Sequence, residues 1–216
     1  MSKYYKNISY RRKLLDYLQE KYKYLYKGIV LDIGGRDRGT FKKPKTKVDK
    51  WIFADVNPDY NPDIILDVSD MSQINTESID VINAIELFEH VNDIEKSLKE
   101  CFRVLKANGV IIISMPFLSN IHSDPFDFQR WTFTKWKFQL TKIGFTINKL
   151  IITGKFYTLL SQMLKNRIET FPRSGFLLFR IFRPFLDWLT KFDNNIKDNK
   201  ILDSYHNGYF IIATKK

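Results

Sequence analysis

The sequence predicts an α/β fold built on a mostly parallel sheet, and three observations carry that expectation. Short apolar runs bounded by turn residues recur through residues 28–153, helix-spaced amphipathic segments stand between several of them, and a further strand-like run closes the chain. With 216 residues, 44% hydrophobic and 15% aromatic, the chain can bury one sizeable core, which excludes disorder or a fibrous repeat as a description of the whole.

Leu14, Leu15, Tyr17, Leu18, Tyr22 and Leu25 recur at helical spacing, so residues 8–26 predict an amphipathic helix that Gly28 ends. Residues 29–33 form a buried strand closed by Gly34 and Gly35, whereas 42–50 is too basic, and too interrupted by Pro44, for a helix. A second strand is expected at 51–56 and a third at 63–68, separated by the turn-rich NPDYNP. A fourth follows at 78–85. The stripe Ile94, Leu98, Cys101, Phe102, Leu105 predicts a helix over 92–105, terminated by Asn108-Gly109 ahead of a fifth strand at 110–115. After an aromatic, polar loop to Trp131 come a helix at 134–143 stopped by Gly144, a strand at 145–152, about fifty connecting residues, and a last strand at 208–214. The chain thus reads as one domain, with an amino-terminal helix in 1–27, a core in 28–153, a helical insertion in 154–205 and the final strand in 206–216.

The net charge of +11 would suit nucleic acid or anionic lipid, but it is segregated. Residues 1–50 carry fifteen bases and five acids, whereas 51–100 carry two bases and twelve acids. A protein that tracks phosphates spreads base over one continuous face, so this pattern argues against nucleic acid and for a solvated basic rim around an acidic segment. The single cysteine, Cys101, forms no disulfide within the chain and reads as a small buried apolar residue in a reducing cytoplasm. The polar, basic start MSKYYKNISYRRK and the lack of a long apolar run predict neither export nor a membrane span.

Glycines directly after a buried strand let a ligand approach the backbone, which singles out LDIGG, with Asp32, Gly34 and Gly35. A nicotinamide fingerprint is disfavoured, because Arg36 occupies its second glycine place. Asp55 ends the second strand 21 residues beyond Gly34, where a carboxylate meets the ribose of a nucleotide-like cofactor. Asp67 falls on the same sheet edge and can accept from an adenine amine. Both also fit ordinary turn-forming aspartates. NPDY, residues 57–60, reads as turn chemistry.

LDIGG, ADV, LDVSDM, SIDVINAIELFEHVND and CFRVLKANGVIIISMPF, in that order, resemble the class I S-adenosylmethionine-dependent methyltransferases over residues 28–153 and the closing strand. ELFEHV followed by RVLKANG resembles the type 11 subgroup, and HSDPFDFQRWT resembles relatives associated with bacterial surface-polysaccharide synthesis. The resemblance implies a Rossmann-like sheet with an antiparallel last strand and S-adenosyl-L-methionine as cofactor. It also implies that Asp32, Gly34 and Gly35 lie by the methionine moiety, Asp55 and Val56 by the ribose, Asp67 and Val68 by the adenine, and Asn83 and Ala84 by the methionine end. Arg36 and Arg38 stand where the family commonly carries its second and third glycines.

Glu86, Glu89 and His90 follow the fourth strand at the presumed rim, where they either meet the acceptor or shape the turn into the next helix. His122, Asp124, Asp127, Arg130 and Trp131 follow the fifth strand. Methyl transfer to a hydroxyl requires removal of a proton, which makes His122 the candidate general base and Asp127 its orienter. His90, Arg130 and Trp131 are expected to bind the acceptor, Trp131 with its flat face against a sugar ring. A plain Asp127–Arg130 salt link is the competing reading. Three scattered histidines predict no metal site. The expected activity is O-methylation of a small or glycan acceptor in surface-polysaccharide synthesis, with a nucleic-acid methyltransferase or a non-catalytic cofactor-binding scaffold as alternatives. In 176–192, Arg180, Arg183, Asp187 and Lys191 share about an 80° arc, leaving an apolar face for the domain's own sheet, a second copy or a membrane surface. Pro184 is expected to kink or split that helix.

Overall fold

The computed structural model describes residues 8–35, 40–122, 125–171, 175–196 and 199–216. Helix α1 (Tyr10–Lys21) opens at Ser9, whose side chain accepts from the Arg12 amide, and ends earlier than the periodicity suggests, giving way to a short 3-10 turn at Lys23–Leu25. Strands β1 (Gly28–Ile33), β2 (Val48–Asp55), β3 (Ile64–Ile65), β4 (Ile79–Ile85), β5 (Leu105–Pro116), β6 (Phe145–Thr153) and β7 (Gly208–Lys215) form one sheet in the order β3-β2-β1-β4-β5-β7-β6. All neighbours through β5 pair parallel, and β7 runs antiparallel to both β5 and β6. This is the expected sheet with its reversed last strand.

Two layers of side chains seal the sheet. On one face β1, β4, β5 and β7 pack against α2 (Ile94–Val104) and α3 (Phe133–Ile143), burying Leu98, Cys101 and Trp136 completely. On the other, Leu15, Leu18, Tyr22 and Tyr26 cover Val30, Val81, Ile112 and Phe210. Truncating any such aliphatic side chain to Ala costs about 2–5 kcal/mol. Asp93 caps α2 by accepting from the Lys96 amide, so the helix begins later than expected from Asn92.

Four elements depart from expectation for identifiable reasons. Strand β3 shrinks to two residues, because Pro62 lacks an N–H and the Asp63 carboxylate takes the Phe53 amide that a strand neighbour would otherwise occupy. Strand β2 begins at Val48, three residues inside the stretch read as irregular. Asn108-Gly109 does not end α2, which stops at Val104. Instead Leu105 pairs with Ile79 and Val110 with Val81, so 106–109 loops out of the ladder, with Asn108 at φ 62°. Pro184 lies inside a single continuous helix, α5 (Gly175–Leu189), where the exposed neighbouring surface tolerates a lost backbone bond. The insertion before β7 also holds α4 (Phe156–Glu169) and the short α6 (Lys200–Asp203). Phe179 and Leu186 of α5 are buried with Tyr10, while Leu177, Ile181, Phe182, Phe185 and Trp188 stay exposed. No helix among the described residues is long and apolar enough to cross a membrane.

Candidate active site

A cleft of about 1360 Å³ opens along the carboxyl ends of β1, β2 and β4. Its floor is a chain of hydrogen bonds. Tyr26 donates to Asn83 Oδ1 (2.8 Å), Asn83 Nδ2 donates to Asp32 Oδ1 (2.6 Å), and Trp51 Nε1 donates to Asp32 Oδ2 (2.9 Å). These bonds fix a carboxylate that is only 2% exposed, and Lys43 approaches it at 3.9 Å. Gly34 turns the chain at φ 69°, and a Cβ on Gly35 would stand 2.0 Å from Asp32 Oδ1, so no other residue fits there.

Beyond β2, Asp55 accepts from the Asn57 amide through Oδ1 (2.9 Å), and its other oxygen carries no hydrogen bond among the described residues. NPDY is indeed a turn, a 3-10 segment capped by the Asn57 side chain. Val56, Leu66 and Val68 supply apolar walls, and Asp67, tied to the Ser69 amide, borders them. Asp32, Gly34, Gly35, Asp55, Val56, Asp67, Val68, Asn83 and His90 all line this one cleft.

Ala84 does not. It is fully buried in the opposite layer, because successive residues of a strand point to opposite faces and Asn83 already takes the cleft side. Trp131 is likewise withdrawn: it is 7% exposed, packs 4.8 Å from Trp136 and donates to Gln129, so its face is not open to a sugar. Asp124, Arg36 and Arg38 lie outside the described residues.

Asp127 and Arg130 form a two-pronged ion pair, with Oδ2 of Asp127 also accepting from the His122 amide. The guanidinium holds the Asp127 carboxyl down at about 2. Asp127 is thereby a clamp for the loop, with its nearer oxygen 3.6 Å from His122 Nδ1. The His122 side chain is 40% exposed and its ring stands 5.3 Å from that of His90 at a right angle. The clamp is strapped to the turn after β4, since Phe128 donates to the Glu89 carbonyl and Gln129 to those of Val91 and Asn92.

The amino-terminal helix forms a wall that its periodicity did not announce. Arg12, Asp16 and Gln19 line the cleft, Asp16 holding the amide and hydroxyl of Thr40. Arg11, drawn down to about 10 by burial, pairs with Glu86, which also accepts from Ser114 and sits at φ 57°. A non-glycine residue in that region is stored strain beside a ligand site. Glu89 is wholly buried, and burial pushes its carboxyl upward despite Arg11.

The chain was compared with known proteins. Residues 44–113 match the family model described as a methyltransferase domain. No curated protein matches the sequence. Among solved structures, a SAM dependent methyltransferase from Archaeoglobus fulgidus aligns over 94% of both chains with 19% identity and a TM-score of 0.61. Phosphoethanolamine N-methyltransferase 2 of Haemonchus contortus, solved with S-adenosyl-L-methionine, aligns over 94% of this chain and 52% of its own, at 15% identity and TM-score 0.55. The cyclase SpnF aligns over 97% of this chain and 84% of its own, at 12% identity and TM-score 0.61.

The sheet is the one shared with the S-adenosyl-L-methionine-dependent methyltransferases of known structure to which the chain is similar. Its cleft fits their cofactor: a buried acid beside a side-chain-free turn, a second acid with one oxygen unengaged among the described residues, and an apolar wall beyond it. The methyltransferase-domain match over residues 44–113, the shared sheet and the shape of the cleft together support a methyltransferase that uses S-adenosyl-L-methionine.

Proposed function

We propose that this protein transfers a methyl group to a hydroxyl of a small or glycan acceptor, in the synthesis of surface polysaccharide. The observation that carries the reading is the cleft itself, with Asp55 and the Asp32–Gly35 turn at one end and a mouth edged by His90, Phe126 and Phe128 at the other. Bound there, S-adenosyl-L-methionine supplies an electrophilic methyl on a sulfonium. Asp55 would hold the ribose diol, Val56 and Val68 would flank the adenine with Asp67 at its edge, and Asp32, Gly34 and Gly35 would meet the methionine end.

Phe126 and Phe128, 60% and 48% exposed, offer the flat apolar faces that a sugar ring stacks against, a part that Trp131 cannot play from the core. Arg130 stays with Asp127 and shapes this mouth. With the cofactor bound, the acceptor oxygen would take the methyl carbon as the sulfur left with the bonding electron pair, and His90 and His122 border the side of the mouth where the hydroxyl proton would be lost. The resemblance of HSDPFDFQRWT supports the glycan acceptor, and a cytoplasmic setting follows from it. The exposed face of α5 is the place where the protein meets a membrane surface or a second copy.

Calorimetry with S-adenosyl-L-methionine and with NAD tests the cofactor half. Saturable binding of the first and none of the second is expected, and the reverse overturns the proposal. Labelled methyl incorporation into sugar nucleotides and glycan fragments, with RNA in parallel, tests the acceptor half. Incorporation into RNA alone would overturn it, as would cofactor binding without transfer to any acceptor, the outcome expected of a scaffold.

A further inference from the structure

Glu89, His90 and His122 each turn one ligand-type atom toward a common point, and these atoms all lie within 4.8 Å of one another. Donor atoms around one ion at about 2.1 Å stand up to ~4 Å apart, so the three groups would draw slightly together around an ion, and His122, 40% exposed, is the one at the surface. Two further observations point to a cation. Both carboxylate oxygens of Glu89 are buried without a hydrogen-bond partner, Arg11 being drawn instead to Glu86 and remaining 3.9 Å away. Such a carboxylate in a folded interior calls for a partner. The His90 ring, moreover, is oriented as metal-bound imidazoles are. Its Nδ1 meets the Phe126 carbonyl and its Nε2 faces Glu89 at 3.8 Å. His122 repeats the arrangement, with Nδ1 toward the Asn120 carbonyl and Asp127, which leaves Nε2 available.

We propose that Glu89, His90 and His122 bind one divalent transition-metal ion at the mouth of the cleft, where it holds the acceptor's oxygen. Two imidazoles and one carboxylate favour zinc, manganese or iron over magnesium, which prefers oxygen donors alone. Arg11 pairs with Glu86, which leaves the Glu89 carboxylate for the ion. The site keeps open positions for substrate, and an oxygen bound there loses its proton more readily than in water. This deepens the methyltransferase reading and rests on it only for the acceptor's role.

The test uses the full-length, untagged chain, stripped with chelator and titrated with Zn²⁺, Mn²⁺ and Mg²⁺ against a chromophoric chelator. The expected result is one Zn²⁺ or Mn²⁺ per chain, at least 100-fold tighter than Mg²⁺, with affinity reduced ten-fold or more in His122→Ala and Glu89→Gln. No stoichiometric binding, equal affinity for Mg²⁺, or unchanged binding in His122→Ala overturns the site. His122 is at the surface, so that variant reports even if Glu89→Gln misfolds. Calorimetry with S-adenosyl-L-methionine on the stripped protein keeps the two proposals apart. Cofactor binding without metal binding sinks this inference alone, and metal binding without cofactor binding sinks the methyltransferase reading alone.

Discussion

Gly35 shows how little freedom the cofactor turn has. A Cβ there would overlap the Asp32 carboxylate, so Gly35→Ala forces the turn apart at a cost of about 1–3 kcal/mol, read as a lower melting temperature together with weakened cofactor binding by calorimetry. Asp55 can be removed more cleanly. Asp55→Ala deletes a charge-assisted contact of about 1.5–3 kcal/mol, so cofactor affinity should fall roughly 10- to 100-fold with little change in melting. His122→Ala should instead leave cofactor binding intact and lower turnover; unchanged turnover would take His122 out of the chemistry. Asp127 supplies a pH signature. Its folded pKa of about 2 lies below the unfolded value of about 3.9, so its contribution is present above about pH 4 and is lost as pH falls toward 2. In acid melts, Asp127→Asn should start less stable at neutral pH and lose less between pH 4 and 2. Parallel curves would mean that the clamp does not stabilise the fold.

Among the elements, α5 carries the plainest experiment. Phe179 and Leu186 bury one stripe, while Phe185 and Trp188 are half exposed, their rings tilted against each other with centroids 5.8 Å apart. Replacing both by Ala touches little of the core and should change stability by no more than about 0.5 kcal/mol each. Liposome co-sedimentation should nevertheless drop if this face meets lipid; wild-type binding by the variant would end the membrane proposal, and sedimentation velocity would then decide for or against a second copy. The amino-terminal helix was legible as a helix, since its apolar spacing is local. Its service as a cleft wall was not, because nothing in the local pattern says that Arg12, Asp16 and Gln19 come to line the cleft, which only the folded chain decides.

Over the whole molecule, the charge of +11 gives a further test. If phosphate neutralisation drove acceptor binding, affinity would fall steeply as salt rises from 50 to 200 mM; a neutral sugar acceptor should hardly respond. The strands and the candidate cofactor edge were readable in one dimension, because buried strands, glycine turns and strand-ending acids are signals carried by adjacent residues; the reversed last strand came from the family resemblance, and the strand order only from the structure. Ala84 and Asn83 sat side by side in the sequence, yet only the pleat and the two layers decided which of them faces the cleft. Trp131, just ahead of α3, turned into the core to pack 4.8 Å from Trp136, a contact its loop position did not reveal. The pairing of Glu89 and His90 with His122 spans more than thirty residues and depends on a loop strapped to a turn by three hydrogen bonds. Local chemistry thus determined which elements form and which edge binds, whereas contacts between distant residues, which no short-range pattern encodes, decided which side chains meet there.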